Sequence, residues 1–156
     1  MGAIGGLQLK SSEEHYLYVL ALTDGCYYVG RTAHLRIRLW QHFKTKMHSS
    51  AWTRLHRPVS VAHVSRIKGT KFDLDRIEAN STLRLAKLKG FDKVRGAGYS
   101  ITTQDVPRSW LDAIEQVPAA DEAKFFPMTD KQLKTMIKNA YFEYRDSYLN
   151  SAKVTA

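Results

Sequence analysis

Between Tyr16 and Phe43 the chain reads YLYVLALTDGCYYVGRTAHLRIRLWQHF, two short runs of apolar and aromatic residues that meet at Asp24-Gly25 and lead into a third stretch with helical spacing. Asp-Gly between two such runs is a hairpin signal, so the rest of the chain has to pack around strand, turn, strand and helix. The expected strands run from Tyr16 to Leu22 and from Cys26 to Val29, and the helix from Ala33 to Phe43.

Side chains alternate along a strand, which puts Tyr16, Tyr18, Leu20 and Leu22 on one face and Leu17, Val19 and Ala21 on the other. The second face is small and apolar and should pack on helices. Where Tyr28 points depends on the turn. A two-residue turn would set it opposite Ala21 and separate the two tyrosines. A three-residue loop, Thr23-Asp24-Gly25 with Gly25 left-handed, sets it opposite Leu20 and beside Tyr18, and this is the arrangement expected. In the following helix the buried stripe is Leu35, Arg38, Leu39, His42 and Phe43, so two polar residues one turn apart interrupt it.

Downstream, Lys44 to Arg57 reads as a basic loop ending at Pro58. Val59 to Ile67 alternates as a third strand, with Val59, Val61, His63 and Ser65 opposite Ser60, Ala62, Val64 and Arg66. A second helix is expected from Asp73, its cap, to Lys89, with Gly90 as its stop. Its stripe, Leu74, Ile77, Glu78, Ser81, Leu85 and Leu88, again carries a charged residue, Glu78. A glycine-punctuated loop over 90–100, a short helix near Arg108–Glu115 and a linker from Val117 to Pro127 follow. A last helix opens with the capping box of Thr129 and Gln132. Its apolar stripe ends in Tyr141, Tyr144 and Tyr148, which offers a surface for packing or for a homodimer.

The expected fold is α+β, a small three-stranded antiparallel sheet flanked by helices. A flexible arm over 1–14 precedes a domain over 15–100, and a helical C-terminal extension covers 101–156. A chain of 156 residues accommodates one sizeable core. The single Cys26 excludes an internal disulfide framework. No apolar run approaches the roughly 18 residues of a spanning helix, and the N-terminus lacks the pattern of a signal peptide, so no membrane partner and a cytoplasmic location are expected.

Charge is what points to a partner. Arg31 to Arg95 holds 16 Lys and Arg against 4 Asp and Glu, while the segments on either side are slightly acidic. A basic excess confined to one segment is the footprint of a polyanion, nucleic acid before anionic membrane. Within it, Arg31, Lys44, Lys46, His48, Arg54, Arg57, Lys71, Arg84 and Arg95 are the candidates for DNA contacts. Arg38, His42 and Glu78 on buried stripes require partners, since an unpaired buried charge is costly. Spacing leaves two explanations open, a structural Arg38–Glu78 ion pair and a shared active site.

The motifs that carry these residues resemble the GIY-YIG nuclease family. Tyr16-Leu17-Tyr18 and Tyr28-Val29-Gly30 correspond to its two tripeptides, and LRIRLWQHF to its helix with a catalytic Arg and, one turn on, a His. His48-Ser49-Ser50 is similar to a loop segment of homing-type members. RIEANSTL places the metal-binding Glu at Glu78, and SAWTRLHRPV and VRGAGYS look like a variant frequent in virus-encoded members, which would put the protein in a host cytoplasm. The resemblance covers Tyr16 to Ser100 and implies a metal-dependent endonuclease acting on DNA, double-stranded first. Its catalytic residues would be Tyr18, Tyr28, Arg38, His42 and Glu78, with Mg²⁺ or Mn²⁺ on Glu78. Many members carry an Asn where this chain offers Asp92 and Lys93. That keeps open a non-catalytic nucleic-acid-binding module on the same fold, and RNA or single strands remain alternative substrates.

Overall fold

The computed structural model describes residues 12–45, 50–103, 105–124, 128–136 and 138. Its centre is a four-stranded mixed sheet in the order β3-β1-β2-β4, with β1 at Glu13–Leu22, β2 at Tyr27–Thr32, β3 at Pro58–Gly69 and β4 at Val94–Gly96. The helices are α1 (Leu35–Lys44), α2 (Ala51–Leu55), α3 (Lys71–Lys89) and α4 (Arg108–Glu115), and residues 130–136 are also helical. The fold is α+β, as expected, but the sheet gains a strand. The glycine-punctuated stretch after α3 supplies β4, which runs parallel to β2 from Tyr27↔Val94 to Val29↔Gly96. Strand β1 also begins two residues inside the expected arm, because Glu13 and Glu14 pair with Gly69 and Lys68 of β3.

The hairpin has the three-residue loop. Leu20 lies opposite Tyr28 and Tyr18 opposite Gly30, and Cys26 N donates to Thr23 O at 3.2 Å to close the turn. Asp24 (φ 62°) and Gly25 (φ 70°) are both left-handed, a conformation that glycine and, among other residues, Asp and Asn tolerate best. The third strand departs from strict alternation. Val19 pairs with His63 but Leu20 with Val61, so Ala62 is an extra residue in a bulge. Val61 and Val64 consequently share the tyrosine face, while His63 turns to the opposite side.

Each sheet face buries its own core. On one, Tyr16, Tyr18, Leu20 and Leu22 meet Leu35 and Leu39 of α1 and Trp52 of α2. On the other, Leu17, Val19, Val29 and Val94 meet Leu83, Leu85 and Ala86 of α3. The extension closes both. Trp110, Ala113 and Ile114 of α4 pack against the α3 side, and Met128, Leu133 and Met136 pack against the tyrosine side. Thr129 and Gln132 form the expected capping box, with Gln132 N donating to Thr129 Oγ1 at 3.1 Å and Thr129 N to Gln132 Oε1 at 3.0 Å. Helix α3 is capped by Thr70 rather than Asp73. Asp73 N donates to Thr70 Oγ1 at 3.2 Å and Thr70 N to Asp73 Oδ2 at 3.0 Å, so Asp73 is the reciprocating third residue of a capping box.

Candidate functional site

The common face of Tyr18 and Tyr28 sets their rings 6.3 Å apart, centroid to centroid. Against both packs His42 of α1, whose ring is 5.5 Å from Tyr18 and 5.2 Å from Tyr28. His42 is completely buried, and its Nε2 is 2.8 Å from the Tyr18 hydroxyl. Its Nδ1 is buried with no hydrogen-bond partner among the described residues. Burial first, and then the Arg38 charge, push the imidazole down to about 3, so it is neutral at physiological pH. Arg38, one turn earlier on the helix, interacts with both tyrosine hydroxyls and donates from Nη1 to Gln41 Oε1 at 3.1 Å. Burial raises both tyrosines above their ordinary range, with Arg38 opposing the shift in each.

Gly30 makes this packing possible. Any Cβ at that position would stand 2.5 Å from the Tyr18 hydroxyl oxygen, so the tyrosine ring lies directly over a residue that must have no side chain. A second glycine lets β4 lie close to both β2 and α3, the helix that carries Glu78. At Gly96 a Cβ would collide with the Val29 carbonyl and come within 2.9 Å of Thr82 Oγ1, which itself donates to Glu78 O at 2.8 Å. Strand β4 ends there, so that among the described residues Gly30 to Thr32 of β2 have no strand partner on that edge, and Glu78 is one helical turn before Thr82. From the α3 side of the sheet its charge still reaches Tyr18, Tyr28 and Arg38.

Glu78 is paired with Arg31, whose Nε is 3.9 Å from Oε1, and also feels the charge of Arg38. Arg31 also donates to Asp75 and stands 2.9 Å from His15 Nδ1. Burial raises the Glu78 carboxyl above its usual range, and Arg31 is the main force opposing that rise. Asp75 and His15 were not among the candidates. The spacing of Asp75, three residues before Glu78 on one helix face, was the available signal. Ser50, which caps α2 by accepting from Thr53 N at 3.1 Å, also interacts with Tyr28.

Of the expected DNA contacts, Lys44, Arg54 and Lys71 are exposed and Arg57 is half-buried. Arg84 is exposed on the other face of the sheet, beside His63 and Lys124 at the rim of a cavity. Arg31 is committed to carboxylates, and Lys46 and His48 lie outside the described residues, as do Tyr141, Tyr144 and Tyr148 of the expected homodimer surface. Arg95 is corrected. It is 1% exposed, donates to the carbonyls of Phe91, Val94, Ile101 and Thr103, and is stacked between Trp52 and Trp110. An arginine so enclosed organises the chain around it and meets no phosphate.

Comparison of the chain with protein-family models, curated proteins and solved structures returns no match. Chemistry must therefore be read from the side chains themselves. No helix among the described residues is long and apolar enough to cross a membrane. Nor do three or more His, Cys, Asp or Glu side chains gather among them as a cage for a metal ion. A carboxylate site such as Glu78, without nitrogen or sulfur ligands, suits Mg²⁺ better than zinc, because Mg²⁺ retains several waters and takes further oxygens from phosphate.

Proposed function

We propose that this protein is a divalent-metal-dependent endonuclease of the GIY-YIG type that hydrolyses phosphodiester bonds in DNA. The observation that carries the reading is the convergence of Tyr18, Tyr28, Arg38 and His42 on one face of an otherwise apolar sheet, within electrostatic reach of Glu78. Two hydroxyls, an imidazole and a guanidinium gathered on the core side of a sheet, with titrations shifted by burial and by one another, are the kind of cluster that concentrates at functional sites. The same arrangement favours catalysis over a module that only binds, since exposed lysines suffice for backbone binding.

Glu78 would hold Mg²⁺ or Mn²⁺, which supplies Lewis-acid polarisation of the phosphate and stabilises the departing oxygen. Arg38 neutralises charge growing on the non-bridging phosphate oxygens, where a planar guanidinium can donate twice. Tyr18 cannot rest as a phenolate, because burial raises its hydroxyl above the ordinary range. Tyr18 Oη is the candidate acceptor of the attacking water's proton once Arg38 and the bound cation favour its phenolate, and His42 Nε2, 2.8 Å away, holds the hydroxyl in place. Tyr28 orients the water or the phosphate beside it.

The test is nicking of supercoiled plasmid in Mg²⁺ by the wild type, Glu78→Ala and Arg38→Ala. We expect nicking by the wild type and a loss of about 10²-fold or more in each variant. Nicking that survives both substitutions, or a wild type inert on DNA, would overturn the reading. Parallel assays on RNA and on single strands assign the substrate.

A further inference from the structure

On α1, the residues that face away from the core are as unusual as those that face inward. Ile37 and Trp40, three residues apart, are 50% and 58% exposed. Arg36 and Lys44 are exposed on the same side, and the helix contains no acidic residue at all. Of the tryptophans, Trp52 is buried and Trp110 is packed against Phe91 and Tyr99. Trp40 is the one of the three that is mostly exposed. Isolated exposed apolar residues are ordinary, but an indole beside an isoleucine within a cationic frame has the composition of a surface that stacks bases.

We infer that the Ile37–Trp40 face of α1 is a nucleic-acid surface on which Trp40 stacks an unpaired base a few nucleotides from the scissile phosphate. This rests on the nuclease reading. Arg38 stands on the flank of the same helix, between the buried stripe and Ile37. An α-helix is only about 10–12 Å across, so a strand whose phosphate meets Arg38 passes the exposed face within a few nucleotides. Charge chooses the occupant. Two copies of the chain joined through this face would bring Arg36 and Lys44 of one against the same cations of the other, whereas a polyanion is attracted by both. Inside a duplex the π-faces of bases are already stacked, so an indole gains most from a flap, a bulge or a single strand. The favoured substrate class is therefore DNA with an unpaired segment beside the cut.

The experiment uses the full chain without divalent metal, so that binding is measured apart from cleavage. Two labelled probes are titrated, a duplex with a single-stranded flap and the same duplex fully paired, against wild type, Trp40→Ala and Trp40→Phe. Flap binding should weaken roughly tenfold in Trp40→Ala, recover in Trp40→Phe and keep its salt dependence, and binding of the paired duplex should change much less. Tryptophan emission of the wild type should be quenched by the flap probe, and that quenching should vanish in both variants. Equal flap affinity for wild type and Trp40→Ala would overturn the inference. So would a wild-type dimer in sedimentation that Trp40→Ala converts to monomer, which would assign the face to a second copy. Plasmid nicking by a wild type whose Trp40→Ala variant binds the flap normally would sink this inference alone, whereas flap binding through Trp40 by a chain that cuts nothing would sink the nuclease reading alone.

Discussion

The Tyr18 hydroxyl and the His42 Nε2 are 2.8 Å apart in a setting that keeps the imidazole neutral. Their proximity joins a strand to a helix 24 residues later in the chain. If Tyr18 takes the proton of the attacking water, Tyr18→Phe removes that acceptor and should lower kcat by about 10²- to 10⁴-fold with little change in KM. Steady-state rates on a plasmid or oligonucleotide check this, and a variant with wild-type kcat would rule out Tyr18 as the proton acceptor.

The same burial makes a statement about stability. In the folded chain His42 titrates near 3, against about 6.5 when unfolded, so between those values the unfolded chain holds the extra proton. Stability should therefore decline as pH falls from about 6.5 to 3, by up to about 5 kcal/mol from this residue. His15 and His63 are shifted in the same direction, chiefly by burial, and add to the trend. Chemical denaturation at a series of pH values measures it, and His42→Gln should flatten the slope.

Gly30→Ala should injure activity more than folding. The new methyl group would stand 2.5 Å from the Tyr18 hydroxyl oxygen, so the ring must move away from His42. We expect overpacking to cost about 1–3 kcal/mol and nicking to fall with it to near the level of Tyr18→Phe. A folded Gly30→Ala protein with full activity would show that the ring position is not needed.

Arg95 should behave as a residue of the fold. Arg95→Lys loses the planar fork that serves four carbonyls and leaves several of them buried without a donor. The expected loss of stability is roughly 3 kcal/mol or more. Among the molecules that remain folded, the salt dependence of DNA binding should be that of the wild type, because no phosphate contact has gone. Thermal melting and salt titration separate the two effects.

Much of the tyrosine face was legible because it depends on local rules. Strand alternation and the length of the Thr23–Gly25 loop were enough to bring Tyr28 opposite Leu20, and helical period placed Arg38 and His42 one turn apart. What escaped depends on contacts far apart in sequence. Val94–Gly96 is a strand only because β2 offers it a parallel edge, and three residues between glycines carry no period of their own. The bulge at Ala62, which turns His63 away from Val61, is invisible to an alternation count. Arg31 and Arg95 show the limit most sharply. Both add the same charge to a basic segment, yet one is held by Asp75 and Glu78 and the other is sealed among carbonyls. Composition counts cations without knowing which of them face water.

The packing of residues 128–136 on the tyrosine face and of α4 on the α3 face gives the chain an order of completion. A nascent chain ending at Ser100 would already own both tyrosines, Arg38, His42 and Glu78, with α1 and α2 on one sheet face and α3 on the other, but it would lack the outer layer that α4 and residues 128–136 add to each. The two cores would then be finished only late in synthesis, when the last described helix clears the ribosome.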